Sequence, residues 1–305
     1  MVQASEAQTR VDNLIDYVNE QIELLAFDEP DLHLIAQLVE SLSDPRQATR
    51  LSLIESLTEV GESATPALLA GLSNHPEAIV RRGCCNALTN IGDEAAVSGL
   101  VNALLQDDDI GVKSAAAGAL AKIGAPAFDA VYQVLAAEDV SESCKGHAAW
   151  AMASMSEEVS DQLYGLVMDP SATVRTAVVG AIAQLAQRQL AQKQLSQKQL
   201  SQKRAVGTQS KALPRLISAL SDPAADVRIE AAANLSRLDC QIAFQPLIVC
   251  LKDPVADVRK AATLALGKLG NSAAIDAIAP LTQDPDANVQ RVASLTIQQL
   301  EAITP

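Results

Sequence analysis

Aromatic side chains are scarce in this sequence: one Trp, three Tyr and three Phe among 305 residues. A β-sandwich would want more Val, Tyr and Trp, whereas tightly packed helices with small contact residues suit a chain dominated by alanine and leucine. Histidine is equally sparse, at His33, His75 and His147 only. None of the five cysteines (Cys84, Cys85, Cys144, Cys240, Cys250) stands in Cys-x-x-Cys spacing. No zinc motif can be drawn, and an odd cysteine count excludes a fully paired disulfide framework. Positive charge is in deficit, and the net charge is −14. Such a chain repels phosphate backbones and anionic membrane surfaces, so nucleic acid is not an expected partner. No apolar run reaches 18 residues, and the N-terminus lacks the basic start and apolar core of a signal peptide. The expectation is a soluble, cytoplasmic protein without membrane insertion.

What the sequence does have is a repeat. Asp253-Pro254-Val255-Ala256-Asp257-Val258-Arg259 recurs at Asp222 to Arg228, at Asp169 to Arg175, and in altered form from Asp284 to Gln290. Aligned on the basic position, the series runs Arg50, Arg81, Lys113, Lys145, Arg175, Arg228, Arg259, with Gln290 last. Its steps are 31, 32, 32, 30, 53, 31 and 31 residues. Regularity of this kind marks a repeat array. Each unit reads as two helices. In the second helix, positions two, three, six, seven and ten after the basic residue are mostly small or aliphatic, as Ala261, Ala262, Ala265, Leu266 and Leu269 show. This is a wide apolar stripe at helical spacing. Gly61, Gly92, Gly124 and Gly270 follow such helices as C-terminal caps. Pro66, Pro126, Pro214, Pro246 and Pro280 fall early in the next helix, where a missing N–H costs little.

The expected fold is an all-α solenoid of eight two-helix repeats with an N-terminal capping helix, forming one continuous right-handed superhelix with a concave groove. Residues 1–30 form the cap, with one helix over 2–26 ended by Pro30. Repeats 1–5 occupy 31–187, a Gln/Lys-rich insertion occupies 188–209, and repeats 6–8 occupy 210–305. In the insertion, Leu190, Leu195 and Leu200 are five residues apart. Each step turns a helix about 140° past a full turn, so they make no single seam. The insertion reads as a solvated loop or helical extension, or else as a basic arm for an acidic partner.

Asp-Pro-x-x-x-Val-Arg with Ala-Ala and a closing Leu-Gly resembles HEAT-type repeats. The short 31-residue unit is similar to the compact subgroup in the phycobilin lyase proteins of cyanobacteria, and so is Gly146-His147-Ala148-Ala149-Trp150-Ala151. That resemblance implies a lyase subunit handling an open-chain tetrapyrrole (a bilin) on a phycobiliprotein, working with a companion HEAT-repeat subunit. Alternatively it implies a scaffold for phycobilisome disassembly or iron–sulfur assembly. Deoxyhypusine hydroxylase, another HEAT-like enzyme, needs repeated His-Glu pairs for iron, and this sequence has none.

Candidate ligand- or partner-binding residues follow from departures from the repeat. Trp150, the only tryptophan, occupies a position held elsewhere by Glu55, Asn86, Gly118, Gly180, Ala233 and Leu264. It is either a local packing aromatic or an anchor on the groove. His147 lies one helical turn before it, where other repeats carry small residues treated as core. It is either a hydrogen-bonded buried imidazole or a polar contact to a ligand. Cys144 beside Lys145 is an inert thiol unless the cation favours its thiolate. Arg82 stands outside the basic series and could bind a carboxylate with its planar fork. Cys84-Cys85 read as small core residues. The basic series itself reads as bridges to acids of adjacent turns, with Asp44, Asp107, Asp139, Asp169, Asp222, Asp253 and Asp284 as partners. Asp107-Asp108-Asp109 lacks the spacing of a full metal-ligand set. No metal and no catalytic residue is assigned.

Overall fold

The computed structural model describes residues 2–23, 32–155, 157–199, 211–238 and 241–303. The chain divides into two compact units, Met1–Val159 and Ser160–Pro305. Among the described residues every regular element is helical.

In the first unit a single helix, α1 (Val2–Glu23), precedes four helix pairs: α2 (Leu32–Ser41) with α3 (Gln47–Val60), α4 (Thr65–Asn74) with α5 (Ala78–Ile91), α6 (Val97–Gln106) with α7 (Ile110–Ile123), and α8 (Phe128–Ala136) with α9 (Glu142–Ser154). The expected end of the first helix, residues 24–30, lies outside the described residues. The second unit holds α10 (Ser160–Gly165) with α11 (Ala172–Gln199), α12 (Ala212–Ala219) with α13 (Ala225–Arg237), α14 (Phe244–Cys250) with α15 (Ala256–Leu269), and α16 (Ile275–Ile278) with α17 (Ala287–Ile303). Helix α11 continues through Gln199, so the opening copies of the five-residue motif extend a helix. Residues 200–210 lie outside the described ones.

The packing follows the alanine pattern. Second helices stack on second helices, α3 on α5, α5 on α7 and α7 on α9, and likewise α11 on α13, α13 on α15 and α15 on α17. Ala116, Ala117 and Ala119 of α7 are fully buried, because only a methyl fits where two helices flank a third. Cys84 and Cys85 fill the same role in α5 with no exposure, and burial pushes the Cys84 thiol up to about 12. Gly92 and Gly270, at φ 74° and 65°, close α5 and α15 in the left-handed region, which a Cβ would disfavour. Pro66, Pro214 and Pro246 sit in the first turn of α4, α12 and α14, Pro126 in the short 3₁₀ segment before α8, and Pro280 in the 3₁₀ segment that follows α16.

Candidate functional site

Two features of the second helices bear on function: a ladder of arginines that sets the frame, and the residues that interrupt it. The rungs are alike in geometry. Arg228 donates from Nε and Nη2 to both oxygens of Asp253, each at 2.8 Å, and from Nη1 to the carbonyls of Asp222 and Pro223 at 2.8 and 3.1 Å. Arg175 grips Asp222 at 2.8 and 2.8 Å. Arg259 grips Asp284 at 2.7 and 2.6 Å, and Arg81 grips Asp107 at 2.8 and 2.8 Å. Each arginine thus ties its own turn to the turn of the following repeat. The aspartate in turn accepts the backbone N–H two residues on, as Ala224 N to Asp222 at 2.8 Å, which holds the Asp-Pro bend in an Asx turn.

The carboxylates respond accordingly. Burial alone would raise Asp107, Asp222 and Asp253, but the arginine hydrogen bonds and charges outweigh it and hold all three below the ordinary value of 3.8. For Asp284 the Arg259 hydrogen bonds dominate, with the same outcome. The expected pairing of the basic series with the acids of adjacent turns is therefore present at these four rungs.

At Asp44, Lys113 and Lys145 the fork is missing for visible reasons, as it is at Arg50, whose next turn carries His75. Asp44 has no earlier repeat to supply an arginine. Arg46 of its own turn replaces it, donating from Nε and Nη2 at 3.0 and 2.9 Å and also reaching Asp12 of α1 at 3.0 Å. Lys113 has a single nitrogen and cannot fork. It donates to the Leu105 carbonyl at 3.3 Å and to Cys144 Sγ at 3.6 Å. Lys145 pairs with Glu142 at 3.8 Å.

The sequence candidates are distributed as follows. Trp150, His147, Lys145 and Cys144 share α9, which Ser141 caps by accepting the Cys144 N–H. Trp150 is 51% exposed. Its slot faces outward along the array: Glu55 and Asn86 are exposed there too, as are Leu264 at 48% and Leu295 at 59%. A Cβ added at Gly118 of the adjacent α7, or at Gly146 of α9, would meet nothing within 4 Å. Gly146 lies one helical turn before Trp150 on α9, and Gly118 holds the aligned position of α7.

His147 is half-buried. Its equivalents Ala115, Ala177 and Ala261 are half-buried as well, so this position lies at the rim of the packed stripe, and only Gly83 is fully buried. The sequence reading had treated them as core. His147 Nδ1 donates to the Ser143 carbonyl at 2.8 Å. Since a carbonyl only accepts, the neutral ring carries its proton on Nδ1 and leaves the Nε2 lone pair for an outside donor.

Cys144 is 3% exposed and donates to the Leu104 carbonyl at 3.3 Å. Its neighbouring cation is Lys113 rather than Lys145, and its thiol is not presented to a ligand on the surface. Arg82 is exposed on α5. Helix α7 lies between α5 and α9, so Arg82 does not adjoin Trp150. It belongs instead to a pocket between α3 and α5 that also holds Arg50. The aligned basic position alone distinguishes Arg50 from Arg81 only if the acid of the next turn is checked: His75 stands there.

Among the described residues no cluster of His, Cys, Asp and Glu could hold a metal ion, and no helix is long and apolar enough to cross a membrane.

Comparison with known proteins agrees with this frame. Residues 35–121, 65–153 and 213–298 match HEAT repeats. Bilin biosynthesis protein MpeU of Synechococcus sp. (strain WH8020) is 36% identical over 66 residues. That match takes in 22% of this chain and 22% of the relative, so the chain spans about a fifth of that protein's length. Among solved structures, YibA of Escherichia coli has 20% identity with a TM-score of 0.38, over 87% of this chain and 91% of its own. Human deoxyhypusine hydroxylase in complex with glycerol has 18% identity with a TM-score of 0.36, over 88% and 96%. The helix pairs, the Asp–Arg ladder between them and a repeat match over more than half of the chain together show that this protein belongs to the HEAT-repeat family.

Proposed function

We propose that this HEAT-repeat protein binds a phycobiliprotein or its bilin, acting as a chromophore handler or lyase subunit. The observation that carries the reading is Trp150, half-exposed on α9 one helical turn from His147 and Gly146. The short match to a bilin biosynthesis protein supports it. A flat tetrapyrrole stacks on the indole, and His147 Nε2 accepts from a pyrrole N–H or, when protonated, donates to a propionate. No residue here is assigned to bond making. The contribution is positioning, which holds a reactive bilin against an acceptor thiol of the phycobiliprotein. The purified protein, alone or with a companion HEAT-repeat subunit, is expected to shift the absorbance of phycocyanobilin and to lose that shift with Trp150→Ala. An unchanged bilin spectrum and no transfer to a phycobiliprotein apo-subunit would overturn the reading.

A second reading, a scaffold without chemistry for phycobilisome disassembly or iron–sulfur assembly, draws on the second unit. There Leu264 and Leu295 are exposed on adjoining helices, as suits a protein-docking face. Recovery of an iron–sulfur scaffold from cell lysate, without phycobiliproteins, would favour it.

A further inference from the structure

Positive charge is unevenly shared between the two units. Met1–Val159 holds 8 Lys and Arg against 25 Asp and Glu, whereas Ser160–Pro305 holds 15 against 12. Setting aside the five cations of the 188–209 insertion leaves the second unit at 10 against 12, still near balance. The charge deficit of the chain thus belongs to the first unit. In the second, four cations gather around the exposed leucines of the second helices.

The repeat register sets their arrangement. Five residues after the basic position stand Ala233 on α13, Leu264 on α15 and Leu295 on α17, both leucines about half exposed. Residues one and nine after it lie a turn to either side on the same helix face. One side has Lys260 and Arg291 there, and the other has Arg237 and Lys268. Helices α13, α15 and α17 pack side by side. The last two meet closely, since a Cβ on Gly267 would come within 2.7 Å of the Thr296 methyl. An apolar row therefore crosses neighbouring helices with a cation row on each side. Lys268 and Arg291 have no hydrogen-bond or ion-pair partner among the described residues. Arg237 donates to Asn234 Oδ1 at 3.4 Å, and Lys260 pairs with Asp257. Glu230 of α13 accepts from Asn234 and turns toward Gly180 of α11. The matching positions of the first unit differ: α3 has Glu55 and Glu59, and α5 has Asn86 and Asn90.

The two cation rows are eight residues apart, about 12 Å along the helices and close to the diameter of one helix. Leu264 and Leu295 stand on helices about 8–10 Å apart. That matches residues seven apart on a helix laid across them, about 10.5 Å. The apolar row is one side chain wide, too narrow for a bilayer surface, which takes a broad apolar face. We propose that this face of α13, α15 and α17 binds an amphipathic helix of a partner protein, apolar along one stripe and acidic on both sides of it. The proposal gives a partner chemistry to the docking face on which the scaffold reading rests, and it does not depend on α9 binding a bilin.

The test measures fluorescence anisotropy of a labelled probe peptide on titration with the full chain. The probe is a helix with leucines along one stripe, alanine between them and glutamate on both flanks. Its control is a scrambled peptide of the same composition. The probe is expected to bind saturably, about tenfold more tightly than the scrambled peptide, and to weaken about tenfold when salt rises from about 0.05 M to about 0.5 M. Lys268→Glu together with Arg291→Glu should weaken it about thirtyfold, and Leu264→Ser about tenfold. All three positions face solvent, so the melting temperature should hold, which separates loss of binding from loss of fold. Equal binding of the scrambled peptide, displacement of the probe by phosphatidylserine vesicles, or unchanged affinity in either variant would each overturn the proposal. A protein that recovers an iron–sulfur scaffold from lysate but ignores the probe overturns this inference and leaves the scaffold reading standing.

Discussion

The two units use one repeat to different ends. In the second, the ladder is unbroken: Arg175, Arg228 and Arg259 each clamp the aspartate of the next turn. Arg175 reaches Asp222 across 47 residues, where Arg228 and Arg259 span 25, so the same clamp closes in spite of the inserted residues. In the first unit only Arg81 makes the full clamp, while Arg50, Lys113 and Lys145 have departed from it. Trp150, His147, Arg82 and the Arg50 pocket all lie in that same unit. The positions without the clamp and the exposed candidate residues thus occur in the same unit. The comparison implies that the second unit is the stiffer of the two.

The sharpest way to break the contrast is Arg228→Ala. Removing one partner of a fully interior pair costs roughly 3–5 kcal/mol, and the edge of this clamp reaches water, so a loss of roughly 2–3 kcal/mol is expected by urea unfolding. Lys113→Ala in the first unit should cost less than half of that. If the two substitutions cost the same, the ladder is not what distinguishes the units.

Next in size is the Trp150 effect. Trp150→Ala should weaken binding of the bilin or its carrier protein about thirtyfold, as a truncated aromatic anchor does. It should leave the unfolding midpoint nearly unchanged, because the indole is half in solvent. A large stability loss with unaltered binding would make it a packing residue.

Acid reads the ladder directly. The folded values of Asp222, Asp253 and Asp284 are depressed below 3.8. Their contribution is therefore fully present above that pH and is lost as pH falls through the folded values. Stability should be level from pH 7 to about 5 and drop steeply below about 4. In Arg228→Ala that acid loss should be shallower, since Asp253 no longer carries a depressed value.

The smallest effect is a gain. Lys113→Arg supplies the fork that lysine lacks, opposite Asp139 of the next turn, and should add roughly 0.5–1 kcal/mol, measurable as a raised melting temperature.

Much of this was legible in the sequence. Periodicity marked the helix pairs, because alanine at positions three, six and seven is what close stacking demands, and the aspartates of the turns foretold the rungs at Asp107, Asp222, Asp253 and Asp284. What escaped was written in single exceptions to the pattern. Arg46 looked like any turn residue, yet it stands in for the arginine of a repeat that is not there. Lys145 adjoins Cys144 in sequence, but consecutive residues on a helix point apart, and the cation that meets the thiol comes from α7. The polar and tiny counterparts of Trp150 showed that its position is not a uniform core slot. Its neighbourhood could not be read, because openness at Gly118 is a matter of the adjacent helix.

At the first and last turns of the described ladder the arginine–aspartate clamp gives way to other contacts. A head-to-tail contact of this kind, arginine of one unit to aspartate of the next, is open-ended by nature and would invite a second molecule to continue it. At the start, Arg46 and Asp12 surround the Asp44 carboxylate. At the finish, Gln290 stands where an arginine would be and turns back to the Asp284 carbonyl at 2.6 Å. Among the described residues, the first carboxylate and the last polar side chain of the series thus both spend their hydrogen bonds inside the chain.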